Sequence, residues 1–306
     1  MIFLGLDTSN YTTSIAAFDG KAGRNCSRLL DVKPGELGLR QSDALFSHVK
    51  RLPELAAQLF SDYSAGDVAA IGVSTRPRAV DGSYMPCFLA GESQARVLAE
   101  TLHVPLFAFS HQQGHIAASC WSADRLELLG MPHLAWHLSG GTTELLLVEP
   151  NGRNVSATRI GGTTDLSAGQ LIDRTGQLLA LGFPAGKAMD GLSSQSDSDD
   201  FFRVKVSCSE FSFSGVQNKV REYYDKTHDP AATARYCIRS VIYGVVKATK
   251  QAAKAYPDLP VVFSGGVSSN SMLRQCQPVR DCVFCPPQYA TDNAMGIAVL
   301  AWYQGA

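Results

Sequence analysis

The chain has 306 residues, which is too long for one small core and fits two domains of ordinary size. Hydrophobic residues make up 45% of it and charged residues 18%, a composition that excludes a disordered chain. The formal net charge of -1 lacks the global basic signature of nucleic-acid-binding proteins, so any contact with nucleic acid requires a local basic patch.

The N-terminal apolar run, residues 2–6, is too short for the core of a secretory signal and has no basic segment before it. No stretch of the chain approaches the roughly 18 apolar residues that a membrane span requires. The sequence therefore predicts a cytoplasmic protein that does not enter a membrane.

The first half opens with a strand, a turn of small polar residues and a second strand over residues 4–18. The turn is Asp7-Thr8-Ser9-Asn10, and Asp7 is a candidate to hold a metal or to orient water. A helical pattern follows over roughly residues 42–60, and a later apolar strand at 69–74 ends in serine.

A pair of histidines, His111 and His115, lies in Ser-His-Gln-Gln-Gly-His. Residues four apart share one face of a helix, so both imidazoles can reach one metal ion; two ordinary surface or core histidines are the alternative. A metal site needs a third ligand. The candidate is Asp292, at the start of an apolar helix over roughly 293–304, where a helix cap is the alternative role. A His-His-Asp site suits iron or zinc.

The second half repeats the layout of the first. A strand, a turn and a strand cover residues 134–148, a long helical pattern covers 231–255, and a buried strand at 261–264 ends in serine. Two such copies predict a two-lobed α/β protein whose polar turns face one another across a cleft. We place the lobes at residues 1–132 and 133–306, with the last helix packing back on the first lobe.

Two glycine-rich loops of the second half are candidate nucleotide sites. In Ser139-Gly140-Gly141-Thr142-Thr143 the glycines let the backbone approach a phosphate, and the hydroxyl groups add hydrogen-bond donors; a plain hairpin turn is the alternative. The loop with Gly265, Gly266 and Asn270 follows a strand and opens a helix, where anions bind; an ordinary capped turn is the alternative.

Two carboxylates of the second half, Asp173 and Asp190, lie among helix-like apolar residues and are candidates to accept hydrogen bonds from ribose hydroxyls; solvated helix residues are the alternative. The eight cysteines are scattered along the chain. Cys282 and Cys285 form a Cys-x-x-Cys without the second pair of a four-cysteine zinc site, so we expect reduced cysteines with a structural role.

Taken in register, these motifs resemble the TsaD family, also called Kae-type or Gcp/YgjD proteins. The resemblance rests on these segments of the chain: Gly5–Ser9, His111 and His115, Leu138–Thr142, Phe211–Gly215, Ser264–Val267 and Thr291–Asn293. The resemblance implies that His111, His115 and Asp292 ligate the metal. It also implies that Ser9, the Ser139–Thr143 loop, Asp173, Gly186, Asp190, Gly265, Gly266 and Asn270 contact the substrate or nucleotide, with Asp7 as the catalytic candidate.

The resemblance further implies an actin-like ATPase (ASKHA) fold with duplicated mixed-sheet domains around a nucleotide cleft. The implied activity is transfer of a threonylcarbamoyl group from threonylcarbamoyl-AMP to the tRNA adenosine next to the anticodon. One divalent metal (iron or zinc) and an adenine nucleotide (threonylcarbamoyl-AMP or ATP) are the expected cofactors. The expected partners are tRNA and either TsaB-like and TsaE-like subunits or a second copy of this chain.

The chain departs from the family pattern in the loop over residues 76–82 and at three single positions: Thr142 replaces a histidine, and Leu166 and Gln170 replace two carboxylates. A paralogue that binds ATP and metal is therefore the alternative, acting on another carbamoyl acceptor or serving as a non-catalytic partner subunit. The family's older designation as a metalloprotease is not supported, because no His-Glu-x-x-His motif accompanies the histidines.

Overall fold

The structure is a computed structural model that describes residues 1–9, 11–31, 39–291 and 293–306. The chain divides into two compact units. Unit 1 comprises Met1–Met131, Glu149–Ala157 and Asp292–Ala306, and unit 2 comprises Pro132–Val148 and Thr158–Thr291. Each unit is built around a β-sheet with helices packed on it, so the structure confirms the predicted α/β class.

The strands, in chain order, are β1 Ile2–Thr8, β2 Thr12–Phe18, β3 Gly23–Leu29, β4 Val68–Arg76, β5 Leu106–Ser110, β6 His133–Leu138, β7 Thr143–Pro150, β8 Val155–Thr163, β9 Glu210–Phe211, β10 Val261–Ser264 and β11 Cys282–Phe284. The α-helices are α1 Gln41–Leu59, α2 Phe88–Leu102, α3 His111–Ser122, α4 Ala168–Leu178, α5 Gly186–Ser193, α6 Ser214–Thr227, α7 Pro230–Ala255, α8 Ser271–Gln275, α9 Pro287–Ala290 and α10 Met295–Gly305.

The sheet of unit 1 has the strand order β3-β2-β1-β4-β5. The first three strands form an antiparallel meander, whereas β1, β4 and β5 run parallel. Because β1, β4 and β5 are parallel, their carboxyl ends lie at the same edge of the sheet. Any polar residue that follows one of these strands therefore comes close to those that follow the other two.

Helix α1 of unit 1 follows the expected amphipathic pattern. The buried residues of α1 recur every three or four positions, at Ala44, His48, Leu52, Leu55 and Leu59, which is the period of a helix with one face on a core. The leucines of this stripe, Leu52, Leu55 and Leu59, pack with the buried side chains of β1, β4 and α2 in one apolar cluster. The predicted helix at 42–60 is therefore confirmed.

The last helix, α10, also belongs to unit 1 and is buried along most of its length. It packs on β1, β2, β4 and α3. Its crossing with α3 is close because Gly296 lies directly against the backbone of Gly114, where a Cβ atom at Gly296 would overlap the Gly114 carbonyl oxygen. The start of α10 is thereby fixed beside the turn of α3 between the two histidines.

The sheet of unit 2 has the order β11-β10-β6-β7-β8-β9. Strands β6 and β7 form the second predicted hairpin, and β10 runs parallel to β6. The long helix α7 begins with Pro230 after an Asp229 cap, and it fills the core of the unit with apolar side chains. Trp136 of β6 is fully buried there and donates its indole N–H to Thr249 Oγ1 at 2.9 Å.

The predicted helices at 231–255 and 293–304 correspond to α7 and α10. In the part of the chain that the structure describes, no helix has the length and apolar character needed to cross a membrane.

A buried histidine joins α1 to the first hairpin. His48 is fully buried, and its Nδ1 lies 2.8 Å from Thr13 Oγ1 of β2. Burial lowers the pKa of His48 to about 4, and the Ser9 carbonyl and the charge of Asp7 oppose only part of this effect. The imidazole is therefore neutral at pH 7.

We predict that this histidine makes the fold sensitive to acid between about pH 6.5 and 4. In this window the unfolded chain protonates His48 while the folded chain does not, so the free energy of unfolding falls as the pH falls. Exchange of His48→Asn, which removes the titrating ring, should reduce the loss of stability between pH 7 and pH 5 by about 2 kcal/mol. Urea unfolding at the two pH values measures this difference. The exposed His103→Asn variant is the control and should behave like the parent; an unchanged loss in His48→Asn would contradict the account.

Candidate functional site

The candidate metal site of unit 1 lies at the carboxyl ends of its parallel strands. Asp7 is near the end of β1, and His111 is the first residue of α3, directly after β5. Ser110 begins α3 with a capping box, in which its hydroxyl accepts from the N–H of Gln113 while the Gln113 side chain accepts from the N–H of Ser110. This cap fixes the first turn of α3, and with it the position of His111.

The two histidines of α3 face each other. His111 Nε2 and His115 Nε2 are 3.0 Å apart, and His115 is buried. Metal–nitrogen bonds are about 2.1 Å long, so two nitrogens at this separation can ligate one ion. The donor set of this pair fits a divalent transition metal, because imidazole nitrogen suits iron and zinc alike.

Asp7 contacts His111 at the ring nitrogen opposite the one that faces His115. Its Oδ2 lies 2.8 Å from His111 Nδ1, and its Oδ1 accepts a hydrogen bond from the Ser9 N–H at 2.9 Å. A carboxylate on the far nitrogen of a metal-binding histidine fixes the ring and its tautomer. With its carboxylate buried and both oxygens engaged in this way, Asp7 is placed to orient His111. The geometry thus favours a positioning role for Asp7 over the direct catalytic role expected from the sequence.

The expected third ligand, Asp292, lies outside the described residues. Within the described ranges, which omit residues 10, 32–38 and 292, no three His, Cys, Asp or Glu side chains form a group that fits a metal ion. The Asp292 assignment therefore stays a prediction. The eight cysteines, all of them among the described residues, form no disulfide with one another, and Cys285 of the Cys-x-x-Cys is buried.

The Ser139–Thr143 loop of unit 2 forms a tight turn between β6 and β7. The Ser139 N–H donates to the Thr142 carbonyl at 2.8 Å, and the Thr142 N–H donates to the Ser139 hydroxyl at 3.1 Å. Thr143 Oγ1 accepts from the N–H of Ala168 at 2.8 Å. The hydroxyls of Ser139 and Thr143 thus hold the loop in shape, in addition to the donor role expected of them. Gly140 and Gly141 are exposed, with open space where side chains would begin.

A second loop, around Asp165, packs against the first. The Ser167 hydroxyl donates to the Gly140 carbonyl at 2.7 Å, and Ser167 and Gln170 form a capping box at the start of α4. Burial alone would raise the pKa of Asp165, but hydrogen bonds from the Ser212 hydroxyl and the Phe213 N–H outweigh it and hold that pKa well below its ordinary value. Asp165 therefore ties the Phe211–Gly215 motif to the loop beside Gly140.

The structure also accounts for two of the departures from the family pattern. Gln170 uses its side-chain carbonyl to accept from the Ser167 N–H, so an amide performs the capping role that a carboxylate also fills. Leu166 is buried in the core of unit 2. Ser167 and Asp165 are not among the site residues predicted from the sequence, although the Ser-x-x-Gln spacing at 167–170 is a signal of a helix start.

The two candidate ribose carboxylates are each anchored to a helix start. Asp190 of α5 accepts from the Asn270 side-chain amide at 2.8 Å and from the Ser271 hydroxyl at 2.8 Å. Asp173 of α4 accepts from the N–H of Ala185 at 2.8 Å, immediately before Gly186. Burial raises the pKa of Asp173 above its ordinary value, and this hydrogen bond only partly opposes the shift.

The glycine loop after β10 lies beside the Ser139 turn. Gly265 has a positive φ of 87° and packs directly on the backbone of Leu138, where no side chain fits. Asn270 caps α8 by accepting from the Leu273 N–H at 3.0 Å. Within unit 2 the structure thus brings the Ser139–Thr143 loop to Gly265, and Asn270 to Asp190. Within unit 1 it brings Asp7 and Ser9 to the histidine pair.

Solved structures with a similar fold define the class of protein. Full-length HypF in a phosphate- and nucleotide-bound form superposes with a TM-score of 0.63 at 13% identity, over 97% of this chain and 46% of that longer chain. A ROK hexokinase from Thermus thermophilus gives a TM-score of 0.57 at 15% identity, over 99% of both chains. A ROK family glucokinase from Streptomyces griseus gives 0.54 at 12% identity. The chain has the actin-like ATPase fold that these proteins share.

Sequence comparison identifies the family within this class. The profile of TsaD, described as tRNA N6-adenosine threonylcarbamoyltransferase, matches residues 38–299. A protein of that name from Thermosipho africanus is 31% identical over 99% of this chain and 94% of its own length. Another, from Sulfurihydrogenibium sp., is 31% identical over 97% of this chain and 89% of its own length. The chain belongs to the TsaD family.

We predict that metal binding depends on the histidine pair and, more weakly, on Asp7. His111→Ala should abolish bound metal, because it removes one of two imidazole ligands. Asp7→Asn keeps the size of the side chain but loses the charge that orients His111, and should weaken metal affinity by about 10- to 100-fold. Metal content by mass spectrometry and competition with a chelator measure these effects.

The control for this experiment is Asp67→Asn, which changes an exposed carboxylate of unit 1 and should leave metal affinity unchanged. Full metal occupancy in His111→Ala would show that the metal binds elsewhere. Equal affinities in Asp7→Asn and the parent protein would remove the positioning role of Asp7.

Proposed function

We propose that this protein transfers the threonylcarbamoyl group from threonylcarbamoyl-AMP to the adenosine next to the anticodon of tRNA. The observation that carries the proposal is the match to named threonylcarbamoyltransferases over nearly the full chain. The geometry of the histidine pair also supports the proposal. Two imidazoles that face each other, with the Asp7 carboxylate on the far nitrogen of His111, suit a metal ion that assists the transfer. A tRNA substrate also supports the cytoplasmic location expected from the sequence.

The metal-binding role falls to His111, His115 and, outside the described residues, Asp292. A divalent iron or zinc ion held there would supply Lewis acidity toward the carbamoyl carbonyl. Asp7 keeps the proton of His111 on Nδ1, which leaves the Nε2 lone pair for the ion. The close crossing of α3 and α10 supports the Asp292 assignment, since it holds the beginning of α10 beside the histidines.

The donor-binding role falls to unit 2. Gly140 and Gly141 offer exposed backbone at a turn, which suits an anion that approaches closely. Asp173 and Asp190 suit the ribose hydroxyls, since carboxylates accept hydrogen bonds from them. The adenosine amine then attacks the carbamoyl carbon, AMP leaves with the electrons of the broken carbon–oxygen bond, and the amine proton passes to solvent. Positioning and electrostatics supply most of the rate gain.

The paralogue alternative is not favoured. The similarity extends over nearly the whole chain, and this chain carries both His111 and His115. Gln170 retains the capping role in the Asp165 loop, and the Thr142 backbone closes the Ser139–Thr143 turn. The departures therefore leave the fold of these loops intact.

A reconstituted reaction tests the proposed function. Purified protein loaded with iron or zinc is mixed with threonylcarbamoyl-AMP and unmodified tRNA, and modified nucleosides are measured by mass spectrometry. We expect threonylcarbamoyladenosine with the parent protein and none with His111→Ala. Absence of the product in every mixture, with or without TsaB-like and TsaE-like subunits, would contradict the proposal.

We further propose that a TsaB-like partner subunit docks on the outer faces of α1 and α2, and docking of a second copy of this chain is the competing outcome of the test. These neighbouring helices expose large apolar side chains: Phe46 is 66% exposed and Val49 51% on α1, and Val97 is 61% exposed on α2. Exposed apolar side chains gathered on a surface are typical of protein interfaces.

The double variant Phe46→Ser and Val97→Ser should weaken the complex by at least about tenfold, because it removes apolar area that association would bury. Sedimentation or calorimetry with each partner measures the affinity. The variant Val80→Ser alters an exposed apolar residue that lies on neither helix and should leave binding unchanged. Undiminished binding by the double variant would exclude this surface.

A further inference from the structure

One aromatic side chain of unit 2 is exposed without an evident structural reason. Phe183 is 69% exposed, and it is the only large apolar side chain of unit 2 that is exposed among the residues the structure describes. All the other exposed large apolar side chains belong to unit 1. Unit 2 thus buries its apolar surface efficiently, with this one exception.

Phe183 lies on a short loop that is fixed at both ends. The loop connects the end of α4 at Leu178 to the start of α5 at Gly186. Near its beginning, the Leu181 N–H donates to the Gly176 carbonyl at 2.8 Å. Near its end, buried Ala185 donates its N–H to Asp173 and packs directly on Gly176, where a Cβ atom would overlap it. The loop therefore presents the aromatic ring from a firmly held backbone.

The groups around this loop suit the nucleoside end of a nucleotide. Asp173 holds the loop itself, and Asp190 lies on α5, which packs against α4. Their carboxylates accept hydrogen bonds from ribose hydroxyls and repel phosphate, so the phosphate belongs elsewhere and the base and ribose belong here. An exposed aromatic ring beside a ribose site offers a face on which a base can stack.

We propose that Phe183 is a stacking platform for the adenine ring of the bound adenylate. This inference rests on the proposed function, since it takes the adenylate as the ligand of unit 2. Phe183 then sets the position of the nucleoside, and through it the position of the carbamoyl–phosphate bond of threonylcarbamoyl-AMP, which breaks in the reaction.

A tryptophan reporter tests this proposal. In Phe183→Trp, titration with AMP should quench the new indole fluorescence, because a stacked base quenches it, whereas ribose 5-phosphate should not. The matched control is Phe46→Trp, which introduces the same reporter at a site that is 66% exposed in unit 1 and should show no quenching. Quenching of Phe183→Trp by unmodified tRNA but not by AMP would assign the ring to the acceptor and overturn the proposal.

The affinity of Phe183 variants for AMP is a second test of the proposal. Phe183→Ala should weaken AMP binding by about tenfold, since it removes the stacking of the base on an aromatic ring, and Phe183→Tyr should bind like the parent. In the transfer reaction, Phe183→Ala should raise KM for threonylcarbamoyl-AMP while kcat stays within about twofold. If the parent protein binds AMP and transfers normally, unchanged AMP affinity in Phe183→Ala would overturn the stacking role of Phe183 but not the nucleotide site. Failure of the parent protein to bind AMP would overturn the nucleotide site as well.

Discussion

The parallel pairing of β1, β4 and β5 is the constraint on which the candidate metal site depends. It places the carboxyl ends of three strands at one edge of a sheet, so that Asp7 and His111, 104 residues apart in sequence, lie within hydrogen-bonding distance. The capping box of Ser110 and Gln113 then sets the first turn of α3. Strand pairing and helix capping together orient the imidazole that a metal would require.

Unit 2 uses its polar side chains in a different way. The side chains of Asp165, Ser167, Asp190 and Asn270 bind backbone groups or each other and so fix the loops. The glycine backbone at Gly140 is exposed, and under the proposed function it is the part of the loop that contacts the donor. Such preorganised loops suit a transfer reaction in which the donor must be held still while a small part of it reacts.

Local patterns in the sequence predicted the local structure well. Apolar periodicity indicated α1 and α7, and the spacing of His111 and His115 predicted a shared helix face, which the 3.0 Å separation of their Nε2 atoms confirms. The contact of Asp7 with His111 was not predicted, because it depends on the order of strands in the sheet. The same applies to Asp190 and Asn270, which are 80 residues apart and meet through helix packing. The sequence indicated which loop residues are polar. It did not indicate whether each polar side chain bonds to a neighbouring residue or is available to a ligand.

A metal bound by this histidine pair is proposed to serve the transfer reaction. X-ray absorption at the edge of the bound metal, on active metal-loaded protein, tests it most directly because it identifies the ligating atoms. We expect scattering from two imidazole rings together with oxygen ligands, and loss of one imidazole in His115→Ala. Sulfur ligation, or a spectrum unchanged in that variant, would contradict it.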